Sequence, residues 1–115
     1  MDHKELDAWK FSVDLSVELY SITKSFPKEE MFGIVQQIRR AAISVPSNIA
    51  EGCARKSSKE TMHFLYISLG SLAELETQIL ISHKLGYISQ VEDIIAKLNK
   101  TKQIILGLIR FLKTT

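Results

Sequence analysis

The chain has 115 residues, 45% of them apolar and 24% charged, with a formal charge of +2, which leaves room for one domain spanning 1–115 and none for a second. No apolar run approaches the ~18 residues a membrane span needs, and the polar start Met1-Asp2-His3-Lys4-Glu5 lacks a signal-peptide core, so the cytoplasm and no membrane role are expected. The single cysteine cannot close an internal disulfide, and the mildly basic balance permits nucleic-acid binding without demanding it.

Read in chain order, the spacing of apolar residues predicts four helices and no strands, an all-α fold. The first helix runs roughly from Leu6 to Ser25 and stops at Phe26-Pro27. Pro27 then opens the second helix at its favoured first position, with Glu29 and Glu30 in the first turn supporting its dipole. That helix runs on to Gly52–Arg55 and contains Pro46. A proline there lacks an amide hydrogen and presses on the carbonyl of Ala42, which costs ~3 kcal/mol. Yet Ile34, Ile38, Ala41, Ala42, Val45 and Ile49 keep to one face across it. Pro46 is therefore expected to bend a continuous helix, with the freed carbonyl met by water or a hydroxyl. Ser44, Ser47 and Asn48 serve the loosened backbone or meet a neighbouring helix closely, on a face that also carries Arg40, Glu51 and Arg55. Ser57 with Glu60, and Ser89 with Glu92, have the capping-box spacing that starts helices three and four. Gly86 ends helix three. Short connections make neighbours antiparallel, in an up-down four-helix bundle.

The apolar surface exceeds what one such bundle can bury. In the first helix Leu6, Trp9, Val13, Val17 and Tyr20 form one stripe, and Phe11, Leu15, Leu19, Ile22 and Phe26 form another on the opposite side. Helix three is apolar over an arc so broad that Ile67 and Ile81 fall outside it. A homo-oligomer in which Leu15, Leu19 or Ile22 meets a neighbour is the economical resolution, and irregular crossing within a monomer is the alternative. Glu76 projects into the apolar arc of helix three, where a lone carboxylate is costly. Arg39, at the margin of the apolar face of helix two, is its expected partner in a pair that fixes register, with Arg40 in reserve.

No catalytic constellation emerges. Glu60-Thr61-Met62-His63 has the Glu-x-x-His spacing of di-iron bundles, but there is no second copy. His3, His63 and His83 are scattered, so neither metal nor cofactor is expected. Cys53, between Gly52 and Ala54, reads as a small packing residue. What remains is a basic junction: Arg55, Lys56 and Lys59 cluster at the turn between helices two and three, with Arg40 in support about four turns away. Repeated on an oligomer, they would make a continuous basic surface for RNA or DNA phosphates.

Through Phe26-Pro27-Lys28-Glu29-Glu30, Gln37-Ile38-Arg39-Arg40-Ala41-Ala42, Ser44-Val45-Pro46-Ser47-Asn48-Ile49-Ala50-Glu51-Gly52, Arg55, Phe64-Leu65 and Gly70-Ser71-Leu72-Ala73-Glu74-Leu75-Glu76, the chain resembles a bacterial family: four-helix-bundle proteins encoded in intervening sequences of 23S rRNA genes. The resemblance covers nearly the whole chain. It implies a cytoplasmic bundle assembled as a homopentameric ring, without enzyme activity. It also implies kinship with accessory proteins of diversity-generating retroelements, which contact a reverse transcriptase and nucleic acid. Self-association, RNA or DNA, and a partner protein such as a reverse transcriptase are thus the expected partners; a protein adaptor without nucleic-acid contact is the rival.

Overall fold

Four helices account for most of the computed structural model, which describes residues 1–114: α1 Asp7–Thr23, α2 Ile34–Cys53, α3 Ser58–Lys84 and α4 Glu92–Lys113. Short 3-10 turns at His3–Glu5 and Lys28–Glu30 precede α1 and α2, and no strand occurs among the described residues. Each helix packs on its sequence neighbours and α4 closes back on α1, while the backbones of the diagonal pairs stay further apart. The result is an elongated bundle, 46 × 24 × 20 Å. Its core is the aliphatic set Leu15, Leu19, Ile38, Ile49, Leu65, Leu75, Ile79 and Ile105 with their neighbours.

Two helix ends follow the sequence reading closely. Ser57 caps α3 by accepting the Glu60 N–H at 3.2 Å. Gly86, at φ +82°, ends it: Tyr87 N–H reaches Ser82 O at 2.9 Å and Gly86 N–H reaches His83 O at 3.0 Å, the paired bonds of a Schellman stop. Two other ends differ. Pro27 does not open α2; it precedes the 3-10 turn, and α2 begins only after Gly33. Phe26 is buried against the Tyr87 ring at 5.3 Å, and Tyr87 Oη donates to Glu30 Oε2 at 2.7 Å. These contacts pin the turn to the α3–α4 connection, so the chain needs one more reversal before the long helix. Ser89 likewise caps nothing, the N-cap of α4 being Val91 without a side-chain bond. The preceding Ile88 is buried, with its carbonyl 2.8 Å from His83 Nδ1, which commits that stretch to closing the loop.

Pro46 lies inside α2, and the helix continues on both sides of it. The Ala42 carbonyl that it leaves without a helical donor is met by a hydroxyl from α1, Ser16 Oγ at 3.0 Å. Ser16 Oγ is also 2.9 Å from Ser12 O. That carbonyl already receives a helical N–H, so the single hydroxyl proton is worth most at Ala42. Three residues further on, Val45 O accepts from Ser68 Oγ of α3 at 2.9 Å. Ser44 Oγ meets Ser71 Oγ of α3 at 2.8 Å, and Asn48 Nδ2 donates back to Ser44 O at 2.8 Å. The proline segment is thus held from both sides by small hydroxyl residues that let three backbones approach closely.

That approach decides how α1 is turned. Ala8, Ser12 and Ser16 face inward together with Leu15 and Leu19, which are 3% and 1% exposed. Leu15 and Leu19 therefore have no surface to give a neighbouring chain, contrary to the sequence expectation. Ile22 keeps only part of its surface and packs on the core. The outward stripe is Val13, Val17 and Tyr20, with Val17 66% exposed. The expected pair between Arg39 and Glu76 is also absent within the chain. Arg39 Nε donates to Thr23 Oγ1 at 3.0 Å, Nη2 reaches Tyr20 O at 3.3 Å, and the guanidinium lies 4.5 Å from the Tyr20 ring centroid. Tyr20 O is one of the last carbonyls of α1, which have no helical donor and favour a cation. Glu76 is half-buried beside a small cavity between α3 and α4, with Leu69, Leu72, Asn99 and Lys102 around it.

Removing the hydroxyl at Ser16 should cost about 1–3 kcal/mol, because it strands a buried carbonyl. The cost belongs to the proline. In a Pro46→Ala background position 46 regains an N–H for Ala42 O, and Ser16→Ala should then cost less than about 1 kcal/mol. Urea unfolding of the four proteins at one fixed protein concentration measures the coupling; equal costs in both backgrounds would contradict it.

Candidate nucleic-acid interface

The junction between α2 and α3 is rigid where its backbone is concerned. Gly52 packs so close to α3 that a Cβ there would lie 3.0 Å from both Phe64 Cβ and Thr61 O. Thr61 Oγ1 donates to Gly52 O at 2.8 Å, and Ala54 N–H closes the end of α2 on Ala50 O and Glu51 O, each at 3.2 Å. From this clamp Arg55, Lys56 and Lys59 project into solvent. Arg55 is the best positioned: its guanidinium lies 4.7 Å from the Phe64 ring centroid, and its Nη2 is 3.5 Å from Glu51 Oε1. His63 stands edge-on to Phe64 at 5.2 Å between ring centroids. Arg55, Ser57, Lys59, Glu60, His63 and Phe64 together line an open cavity of about 560 Å³.

The structure brings Arg55, Lys56 and Lys59 together and leaves Arg40 apart. Fifteen residues of helix correspond to about 22 Å, and Arg40 opens onto a different surface, with Tyr20, Phe32, Gln36 and Ile43. Glu51 belongs to the junction, as the ion-pair partner of Arg55. The sequence reading missed Phe64 and His63, because Phe64 counts equally well as a member of the apolar arc of α3. Nine residues separate it from Arg55 across a turn, and only the angle between helices tells that they meet. Glu60 and His63 are both exposed, and no group of three His, Cys, Asp or Glu side chains comes within reach of one metal ion among the described residues. Cys53 is buried, which pushes its thiol above the usual range.

Residues 4–107 match the description of a family named 23S rRNA-intervening sequence protein. The chain belongs to that family. No curated protein matches it. The family match spans all of α1, α2 and α3 and most of α4, so the junction and the proline segment both lie within it. One helix, Ser58–Lys84, is long and apolar enough by length and composition to cross a membrane, with a mean hydropathy of 1.3 over its most apolar window; its inner arc is the core described above.

Away from the junction, the contact with the clearest electrostatic signature is the one holding the turn before α2. The hydrogen bond that Tyr87 donates to Glu30 raises the phenol above its ordinary range, with burial and the charges of Glu30 and Glu29 adding to it. A raised folded-state pKa means stability that is fully present below pH ~10, the ordinary phenol value, and is lost as pH rises through the folded one. Phenolate absorbance, taken as the difference between the parent protein and Tyr87→Phe, should place this titration above that of a free tyrosine. Glu30→Gln should bring it down. A Tyr87 titration unchanged by Glu30→Gln would show that the bond does not form in solution.

Proposed function

We propose that this family member works without catalysis of its own, as a cytoplasmic homo-oligomer that grips RNA or DNA phosphates through the α2–α3 junction. The observation that carries this reading is the convergence of Arg55, Lys56 and Lys59 on one rigid turn, with Arg55 already stacked on Phe64. An arginine laid on an aromatic face is held flat, and a phosphate oxygen would compete with Glu51 for its outer N–H groups. Glu51 offsets part of the charge of one copy, and a subunit of +2 is a weak electrostatic surface by itself. Repetition around a ring, with five subunits as the family resemblance implies, turns it into a strong one. In this reading Pro46 bends α2, and the bend is held by Ser16 and Ser68. Three cations on an open surface fit backbone contact without sequence readout. The rival reading, a protein adaptor with no direct nucleic-acid contact, draws on apolar side chains left in solvent, above all Phe32 at 91% exposure.

Salt titration separates the two. If each subunit neutralises about two phosphates and two or three subunits engage one single-stranded RNA, log affinity should fall against log salt with a slope of about −3 to −4. Changing Arg55, Lys56 and Lys59 together to Ala should flatten that slope and weaken binding to all sequences alike, with the oligomer intact. Unchanged affinity in the triple variant, or no binding by the parent protein at low salt, would leave the adaptor.

A further inference from the structure

Two apolar surfaces of this chain face solvent, and they lie on different sides of the bundle. The first is the groove between α1 and α2, where Val13, Val17, Tyr20, Ile43 and Pro46 line one cavity and Tyr20, Phe32 and Ile43 line the next. From Pro46 back to Ile34 α2 runs twelve residues, about 18 Å at helical rise, and Phe32 extends the face just beyond its start. Its exposed side chains leave on the order of 500 Å² of apolar surface, at the upper end of a monomer's largest patch. The second is the outer stripe of α3, where Tyr66, Ile67, Leu80 and Ile81 are exposed with Gly70 and Ala73 between them. From Tyr66 to Ile81 it spans about 22 Å.

The two stripes are similar in length, and the charge near the middle of each has a single sign. Among the outward residues of the α3 stripe it is Glu74. On the α1–α2 face it is Arg40, about midway between Phe32 and Pro46, with Arg39 lining the same cavity from its place over the Tyr20 ring. Neither Arg40 nor Glu74 takes part in an ion pair among the described residues. A two-fold contact of either face with itself would set Arg40 against Arg40, or Glu74 against Glu74, close to the axis. A head-to-tail contact sets Arg40 against Glu74, and the apolar halves of both stripes then cover each other. Lipid is the wrong cover for α3, since a carboxylate in the middle of the stripe is expensive in hydrocarbon.

We infer that the α1–α2 face of one copy seats the outer α3 stripe of the next, head to tail, with Arg40 paired to Glu74 as the contact that fixes register. This rests on the homo-oligomer reading above and names the surfaces that make it. Each copy presents both halves of such a contact, so the arrangement propagates until it closes into a ring.

Light scattering on gel-filtered protein tests it with two pairs of variants, helicity by circular dichroism confirming that each is folded. Ile43→Asp spoils only the first face and Ile81→Asp only the second. Each alone should be a monomer of 13.0 kDa, and an equal mixture should form a two-chain species and nothing larger, because one good contact remains between them. Arg40→Glu and Glu74→Arg should each weaken assembly by about tenfold or more, and the double variant should recover it. An Ile81→Asp protein with the parent's mass would overturn the inference, since the first face would then be pairing with itself. An oligomer indifferent to both charge reversals would overturn the register contact while leaving the homo-oligomer reading in place. A parent protein that stays monomeric at micromolar concentration would overturn both, and would leave the two faces to a different protein.

Discussion

The bundle depends on a missing hydrogen. Because Pro46 has no N–H, the carbonyl of Ala42 in the middle of α2 needs an outside donor, and the donor is a serine of α1. A serine can reach a helix backbone only if the two helices run close together, so the positions around it must be small. Ala8 and Ser12 on α1, and Ala41 and Ala42 on α2, meet that requirement and are buried. On the other side Ser44, Ser68 and Ser71 draw α3 to the same segment. The polar atoms in this region are what allow the core to be narrow, and the narrow core turns the larger outward side chains of α1 and α3 into solvent.

This explains which parts of the fold the sequence carried and which it did not. Helix periods, the Ser57 cap and the Gly86 stop depend on residues within one or two turns, and they were legible as local patterns. The orientation of α1 was not, because two opposite stripes were apolar and the count of large side chains favoured neither. What chose between them was the row of small residues beside Leu15 and Leu19, whose value depends on a proline thirty residues away on another helix. Arg39 was misassigned for a related reason. It was matched to a carboxylate, yet the Tyr20 carbonyl at the end of α1, the Thr23 hydroxyl and the Tyr20 face lay nearer. At the junction the three cations were legible as a cluster, whereas the Phe64 support beneath Arg55 required the crossing of two helices to be known.

α4 stands apart from this arrangement. It has a single conventional apolar stripe, and its contact with α1 is reinforced at the rim by Lys97, whose Nζ lies 2.9 Å from Glu18 Oε2 and 3.1 Å from Asp93 Oδ2. Its Nζ charge is stabilised first by the bond to Glu18 and then by that to Asp93, which raises the group above the ordinary lysine value. Exposed pairs of this kind contribute little to stability. They do orient α4, whose contact with α1 is thus fixed at the rim, whereas α2 is locked to both its neighbours by buried hydroxyls.

The close passage at Gly52 has a consequence for how the chain folds. α2 and α3 adjoin in sequence across a four-residue turn and are joined by hydroxyl bonds from Thr61 and Ser68 to backbone and from Ser71 to Ser44, so their contacts involve small loop-closure entropy. A helical hairpin of low contact order is the natural nucleus of such a bundle. α1 is expected to join it by supplying the Ser16 donor, and α4, held to α1 by ion pairs at the rim, to complete the structure last. The same glycine that lets α2 and α3 pass closely would thereby favour their pairing first.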